Sequence, residues 1–75
     1  MDNDPYGYQE KAIVYHEMND YKNSIDNINK AIALDSTKLY FNEYSFTRGV
    51  INFKNGNIFE AEKDFLNILK TDEFN

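Results

Sequence analysis

The chain has 75 residues, a net charge of −5 and no cysteine, so we expect one small domain, residues 1–75, without a disulfide. Its acidic balance, with no Lys/Arg cluster, argues against nucleic acid as a partner, because affinity for phosphates rests on cationic side chains. No apolar run reaches the roughly 18 residues of a membrane span, and the start lacks the basic and apolar regions of a signal peptide. We therefore expect a soluble domain that does not enter a membrane. The compartment is not identified, although the cytoplasm is slightly favoured.

The first half of the sequence predicts a pair of helices. Asp4 followed by Pro5 is typical of a helix start, since proline at the first position loses only an N–H without an intrahelical partner. Helical spacing of apolar residues predicts helices over about 5–18 and 21–34. Between them, Asn19 tolerates the left-handed conformation that ends a helix, and Asp20 is suited to cap the next one.

The second half repeats this arrangement 37 residues later. Gly56 takes the position of Asn19, and Asn57 with Glu60 resembles a capping box. Helices are predicted from about 38 or 42 to 54 and over about 58–70. Ile58, Ala61, Phe65, Ile68 and Leu69 each follow a residue of similar character: Tyr21, Ser24, Ile28, Ala31 and Ile32. The sequence therefore predicts an internal repeat of two helical hairpins, 5–36 and 37–75.

The third predicted helix is apolar on two sides. One side carries Phe46, Gly49, Val50 and Phe53, and the other carries Tyr40, Tyr44 and Ile51. A helix that is apolar on two sides is expected to lie between neighbours, so we place it between the second and fourth helices.

The order of residue types resembles the tetratricopeptide repeat family over about residues 5–69. That family has a small residue and an aromatic in its first helix, a Gly/Asn–Asp/Asn turn, and then alternating large and small residues in its second. The matching residues are Ala12, Tyr15, Asn19, Asp20, Tyr21, Ser24, Ile28 and Ala31 in the first copy, and Gly49, Gly56, Ile58, Ala61 and Phe65 in the second. The resemblance implies an all-α fold in which two antiparallel helical hairpins, four helices in all, form an α-α superhelix, or solenoid.

The sequence also departs from this family. The repeat is 37 residues long instead of about 34. We expect the three extra residues, within the stretch DSTKLYFNEY, to lengthen the start of the third helix. Asn52 occupies an aromatic position and Ile68 a small one. Another helical-hairpin repeat fits the periodicity equally well.

The resemblance implies a protein-interaction module, an adaptor or scaffold, cut from a longer repeat protein. Members bind a peptide or partner protein in a concave groove lined by the first helix of each hairpin. The matching positions are Tyr6, Gln9, Ile13, His16, Glu17, Glu43, Phe46, Thr47, Val50, Phe53 and Lys54. A stripe such as Phe46, Val50 and Phe53 at helical spacing is, however, more often part of a core than of a binding surface. Gln9, Ile13 and Thr47 stand where one branch of the family clamps a C-terminal carboxylate with Lys and Asn. Binding of a C-terminal carboxylate is therefore disfavoured for this chain.

The fourth helix carries an apolar strip beside its core face. Phe59 and Leu66 lie where the second helix has Lys22 and Asn29, and Phe74 follows closely. Terminal repeats normally have a polar outer face. The alternative function is therefore a self-associating structural unit, a homodimer through these residues, unless further repeats or Phe74 itself cover the strip.

No catalytic or metal-binding arrangement emerges. His16 with Asp20 could bind a metal, but the second histidine of an HExxH motif is lacking and the turn at Asn19 separates the pair. We interpret Glu60, Glu62 and Asp64 as a solvated acidic face. We predict a protein that is not an enzyme and holds neither a metal nor another cofactor.

Overall fold

The computed structural model describes residues 4–35 and 37–72, and over those residues the chain consists of four helices without a strand. The helices are α1 (Pro5–Glu17), α2 (Tyr21–Leu34), α3 (Phe41–Lys54) and α4 (Ile58–Asp72). The all-α prediction is confirmed, with four helices close to the predicted bounds. None of the helices in the described part is long and apolar enough to cross a bilayer.

Aspartates cap the first two helices. The Asp4 carboxylate accepts a hydrogen bond from the backbone N–H of Tyr6 at 3.1 Å, and Pro5 opens α1. The Asp20 carboxylate accepts one from the N–H of Asn23 at 3.3 Å. Each cap satisfies a donor that the first turn of a helix leaves without a partner. Both caps were predicted from the sequence.

The turns between α1 and α2 and between α3 and α4 are closed by the same backbone hydrogen bonds, 37 residues apart. The bonds run from Asp20 to Tyr15 (2.8 Å) and Asn19 to His16 (3.0 Å), and from Asn57 to Asn52 (2.8 Å) and Gly56 to Phe53 (3.1 Å). This pair of bonds is the Schellman motif, which requires a left-handed residue after the helix. Asn19, with φ 64°, and Gly56, with φ 84°, supply that conformation.

The connection from α2 to α3 is organised by Asp35, which is buried. Its carboxylate accepts a hydrogen bond from the backbone N–H of Tyr40 at 3.0 Å, and its carbonyl accepts one from Lys38, also at 3.0 Å. Lys38 has a left-handed φ of 61°, so the chain turns here before α3 begins at Phe41. The expectation that the extra residues lengthen α3 is therefore wrong, because they form this connection.

The helices pack mainly on their neighbours in the sequence. α1 packs on α2, α2 on α3 and α3 on α4, with a smaller contact between α1 and α3. α3 thus lies between α2 and α4, as its two apolar sides predicted. The main core cluster consists of Ala12, Ile28, Ala31, Tyr44 and Ile51, and Tyr8, Tyr21, Ile25 and Ile32 pack against it. Ala61 of α4 is also buried.

Within each hairpin the two helices meet closely at a small residue. In the first hairpin, the Ser24 hydroxyl donates to the backbone carbonyl of Ala12 at 2.8 Å, and both residues are fully buried. In the second, Gly49 lies against the ring of Phe65. Ala12 and Gly49 are 37 residues apart. The close contact between the two helices of a hairpin therefore falls at the matching position in both hairpins.

Two polar clusters join α2 to the second hairpin. Arg48 donates to both carboxylate oxygens of Asp64, at 2.9 and 2.8 Å, and its third nitrogen donates to Asn29 at 2.8 Å. Asp64 is only 4% exposed, so its interpretation as part of a solvated face is wrong. In the other cluster, the Tyr21 hydroxyl donates to the side-chain oxygen of buried Asn52 at 2.7 Å. That bond gives a structural reason for an asparagine at the position that corresponds to Tyr15, 37 residues earlier.

Candidate binding groove

Two depressions lie along the contact between α1 and α3. The two helices are linked across it by Gln9, whose amide nitrogen donates to the Thr47 hydroxyl at 3.0 Å. The Thr47 hydroxyl in turn donates to the backbone carbonyl of Glu43 at 3.2 Å, one turn earlier in α3. This link fixes the spacing of the two helices and has a depression on either side.

The first depression has an apolar base and an ionisable rim. It encloses about 220 Å³ and is lined by Ile13, His16, Glu17, Phe46, Thr47, Val50, Ile51 and Lys54. Ile51 is 1% exposed and forms the base, whereas Glu17 and Lys54 are exposed. A concave apolar surface with a few polar groups at its edge suits a ligand that buries an apolar side chain.

The second depression is aromatic and acidic. It encloses about 280 Å³ between Tyr6, Tyr40, Glu43 and Tyr44. A hydrogen bond to Glu10 raises the pKa of Tyr6, and burial raises the pKa of Tyr44. Both phenols therefore keep their protons at neutral pH, which leaves Glu43 as the charged group of this depression.

Most of the side chains predicted to form a groove lie at these two depressions. Ile13, His16, Glu17, Phe46, Thr47, Val50 and Lys54 line the first, Tyr6 and Glu43 line the second, and Gln9 forms the link between them. Phe53 lines neither depression. Ile51, Tyr40 and Tyr44 were not among the predicted groove residues, because their helical spacing assigned them to the opposite side of α3.

The alternative interpretation of Phe46 and Phe53 as core residues does not hold. Each is 56% exposed, and Val50 between them is half-buried. The Phe46 ring packs against that of Phe65, with the centroids 5.8 Å apart. The reason is that α3 turns its other side, with Tyr44 and Ile51, towards the core.

The histidine considered as a metal ligand lies in the wall of the first depression. Its proposed co-ligand, Asp20, is engaged at the start of α2, where its carboxylate accepts from the Asn23 amide nitrogen at 2.7 Å. Over residues 4–35 and 37–72 no group of three or more His, Asp or Glu side chains is arranged to hold a metal ion.

The apolar strip predicted on α4 is exposed as far as the structure describes it. Phe59 is 70% and Leu66 is 59% exposed, and Ile58 and Leu69 extend the apolar surface. The Lys63 ammonium lies over the Phe59 ring, 4.9 Å from its centroid. Phe74, the third residue predicted for self-association, lies outside the described residues.

Comparisons of the chain with protein-family models, curated proteins and solved structures give no match. The chemistry of the groove must therefore be inferred from its own side chains. They offer an apolar pocket, a hydrogen-bonded bridge and separated charges, which together are suited to holding an extended ligand.

Proposed function

We propose that this chain is a protein-interaction module, similar to a tetratricopeptide repeat, that binds a peptide segment of a partner protein between α1 and α3. The observation that supports this function best is the first depression, where Ile13, Val50 and Ile51 provide an apolar base within reach of Glu17 and Lys54. Such a site buries one apolar side chain of a ligand and contacts its charged neighbours.

The repeated backbone geometry supports the assignment of two like repeats. The Schellman bonds that end α1 and α3 recur at an offset of 37 residues, as do the small residues Ala12 and Gly49. In this proposal the two antiparallel hairpins form a short α-α superhelix. The first helices of both hairpins then lie on one side and form the concave binding surface.

The charges of the groove favour a basic peptide with an apolar anchor. The residues that line the two depressions include two carboxylates, Glu17 and Glu43, and one cation, Lys54. The whole chain carries a net charge of −5, which attracts a cationic ligand from a distance. We place the anchor in the first depression and a lysine or arginine beside Glu43.

The proposal assigns binding and not catalysis. His16 contributes to the pocket wall, and Asp20 serves as a helix cap. No cofactor enters the proposed mechanism, in which affinity comes from apolar burial and charge complementarity.

The test is selection of peptides from a displayed random library on the immobilised chain, followed by titration of a selected peptide labelled with a fluorophore. We expect enriched peptides to combine an apolar residue with lysine or arginine. Ile13→Ala should weaken binding about tenfold, since losing part of one buried apolar side chain is worth about 1.4 kcal/mol.

Val14→Ala is the matched control, because Val14 follows Ile13 on α1 but lines a different surface. Its affinity for the peptide should equal that of the unmodified chain. Equal losses in both variants, or peptides enriched in acidic residues, would contradict the proposed groove.

A further inference from the structure

The contact between α2 and α3 provides a template for a second interaction. There the Tyr21 hydroxyl donates to Asn52 at 2.7 Å, and Arg48 donates to Asn29 at 2.8 Å. Ile51 of α3 is buried beside these contacts. This is the larger of the two surfaces through which the first hairpin contacts the second.

The outer face of α4 reproduces the α2 side of that contact. Ile58, Leu66 and Leu69 stand 37 residues after Tyr21, Asn29 and Ile32. They are 46%, 59% and 61% exposed, respectively. An apolar face at the position of an established contact is thus left open in the described part of the chain.

The outer face of α1 reproduces the α3 side. Lys11, Val14 and Tyr15 stand 37 residues before Arg48, Ile51 and Asn52. Val14 is 56% exposed, whereas its counterpart Ile51 is 1% exposed. Lys11, Val14 and Tyr15 line a wide depression of about 810 Å³.

We propose that a second copy of this chain docks head to tail, with the α4 face of one copy against the α1 face of the next. The joint repeats the α2–α3 contact between molecules: Ile58 packs on Tyr15 as Tyr21 contacts Asn52, and Leu66 packs on the side chain of Lys11 as Asn29 contacts Arg48, around Val14. It goes beyond the proposed peptide binding, since it uses different surfaces, and it would continue the α1–α3 groove from one copy to the next.

Charge complementarity supports a second copy as the occupant. Ile25 and Arg48 line the same pocket at the α2–α3 contact. Their counterparts at the ends are Glu62 and Lys11, both exposed. The same packing would therefore bring a carboxylate of one copy near an ammonium of the next, where opposite charges favour association.

The two faces differ, so the proposed joint is heterologous and does not close after two copies. We expect the mass of the chain in sedimentation velocity to rise with concentration from 8.9 kDa through the dimer to longer assemblies. A chain that stays monomeric from micromolar to millimolar concentration would overturn the proposal.

Two single variants and their mixture test the direction of the joint. Leu66→Lys blocks the α4 face and Val14→Asp blocks the α1 face, so each variant alone should be monomeric. Their equimolar mixture should form heterodimers and nothing larger, because it retains one intact α4 face and one intact α1 face. A Val14→Asp chain that still dimerises, beside a monomeric Leu66→Lys chain, would instead show a symmetric α4–α4 dimer and overturn the proposal.

Circular dichroism and the labelled-peptide titration separate this inference from the proposed function. Val14 and Leu66 are both more than half exposed, so both variants should keep their helix content and peptide affinity. If either variant loses its helices, Glu62→Lys and Lys11→Glu provide a second pair. Each should weaken association alone, and both in one chain should restore it; a double variant that stays as weak as the singles overturns the proposal.

Discussion

The backbone of Gly49 lies directly against the ring of Phe65: a Cβ atom added to Gly49 would fall 2.6 Å from Cε1 and 2.9 Å from Cζ of that ring. The Phe46 ring, on the exposed side of α3, packs against the same ring and limits where it can move. The close approach of α3 and α4 therefore depends on the absence of a side chain at position 49.

We expect Gly49→Ala to lower the free energy of unfolding by up to about 2 kcal/mol, because overpacking costs about 1–3 kcal/mol and the gain in helix propensity is about 1 kcal/mol. Urea denaturation measures the difference. Gly7→Ala is the matched control, since its nearest atom, Asp4 Oδ2, would be 3.7 Å from the new Cβ. That control should leave stability unchanged or slightly higher. Adding Phe65→Leu to Gly49→Ala should recover part of the loss, and a stabilised Gly49→Ala chain would contradict the close packing.

We expect substitution by alanine to have opposite effects on stability at the two buried serines. Ser24 and Ser45 are both 0% exposed, but Ser24 donates to Ala12, whereas the Ser45 hydroxyl has no hydrogen-bond partner among the described residues. Ser45→Ala should raise the free energy of unfolding by about 1 kcal/mol, and Ser24→Ala should lower it by about the same amount. Thermal and urea unfolding of both variants compare them directly. Two losses of equal size would show that Ser45 has a partner in solution.

The Arg48–Asp64 pair is expected to contribute more to stability than the exposed pair on α4. Asp64→Ala should cost about 2 kcal/mol, below the roughly 3–5 kcal/mol of a fully buried pair because the Arg48 side chain is 28% exposed. Glu60→Ala removes the ion pair between Glu60 and Lys63, in which both side chains are more than half exposed. This change should alter the free energy of unfolding by less than about 0.5 kcal/mol. Chemical denaturation of Arg48→Met, Asp64→Ala and the double variant gives the coupling energy. Additive losses would contradict a direct interaction.

Alkaline pH should destabilise the chain partly through Tyr44. Burial raises the pKa of Tyr44 above its ordinary value of 10.0, so the folded state holds this proton more tightly than the unfolded state. The stabilisation is complete below pH 10.0 and is lost as pH rises through the folded-state pKa. Urea denaturation at a series of pH values should therefore show a smaller alkaline loss for Tyr44→Phe than for the unmodified chain.

Tyr6 provides the comparison for that pH series. Its pKa is also raised, chiefly by the hydrogen bond to Glu10, but its side chain is 55% exposed. Tyr6→Phe should remove a smaller part of the alkaline loss, because solvent screens an exposed group. A Tyr44→Phe chain that loses stability in parallel with the unmodified chain would exclude Tyr44 as a source of the pH dependence.

The helices and their turns were predictable from the sequence because their signals are local. Asp4 and Asp20 cap helices through backbone groups two or three residues away. Asn19 and Gly56 adopt left-handed conformations that few other residues accept. Each of these signals acts within one turn of chain, so no knowledge of the tertiary packing is needed to read it.

The environment of single side chains was less predictable, because it depends on which helix lies opposite. Asp64 looked solvated beside its charged neighbours, yet Arg48, sixteen positions earlier on α3, removes it from water. Helical spacing favoured a core position for Phe46, which is 56% exposed, because spacing identifies an apolar side without saying what covers it. Asp35 shows the same limit, since its role is to hold the backbone of Tyr40 five residues later in an irregular connection.

The contact pattern implies that the helices differ in how readily they open. In the described part of the chain, α4 packs only on α3 and contributes Ala61 to the buried hydrophobic residues, whereas the main core cluster comes from α1, α2 and α3. Unwinding of α4 would thus leave that core in place, so its amide protons should exchange with deuterium sooner than those of α2. Helix α4 would then open while the other three helices stay folded. A partner that binds the outer face of α4 would slow this local opening.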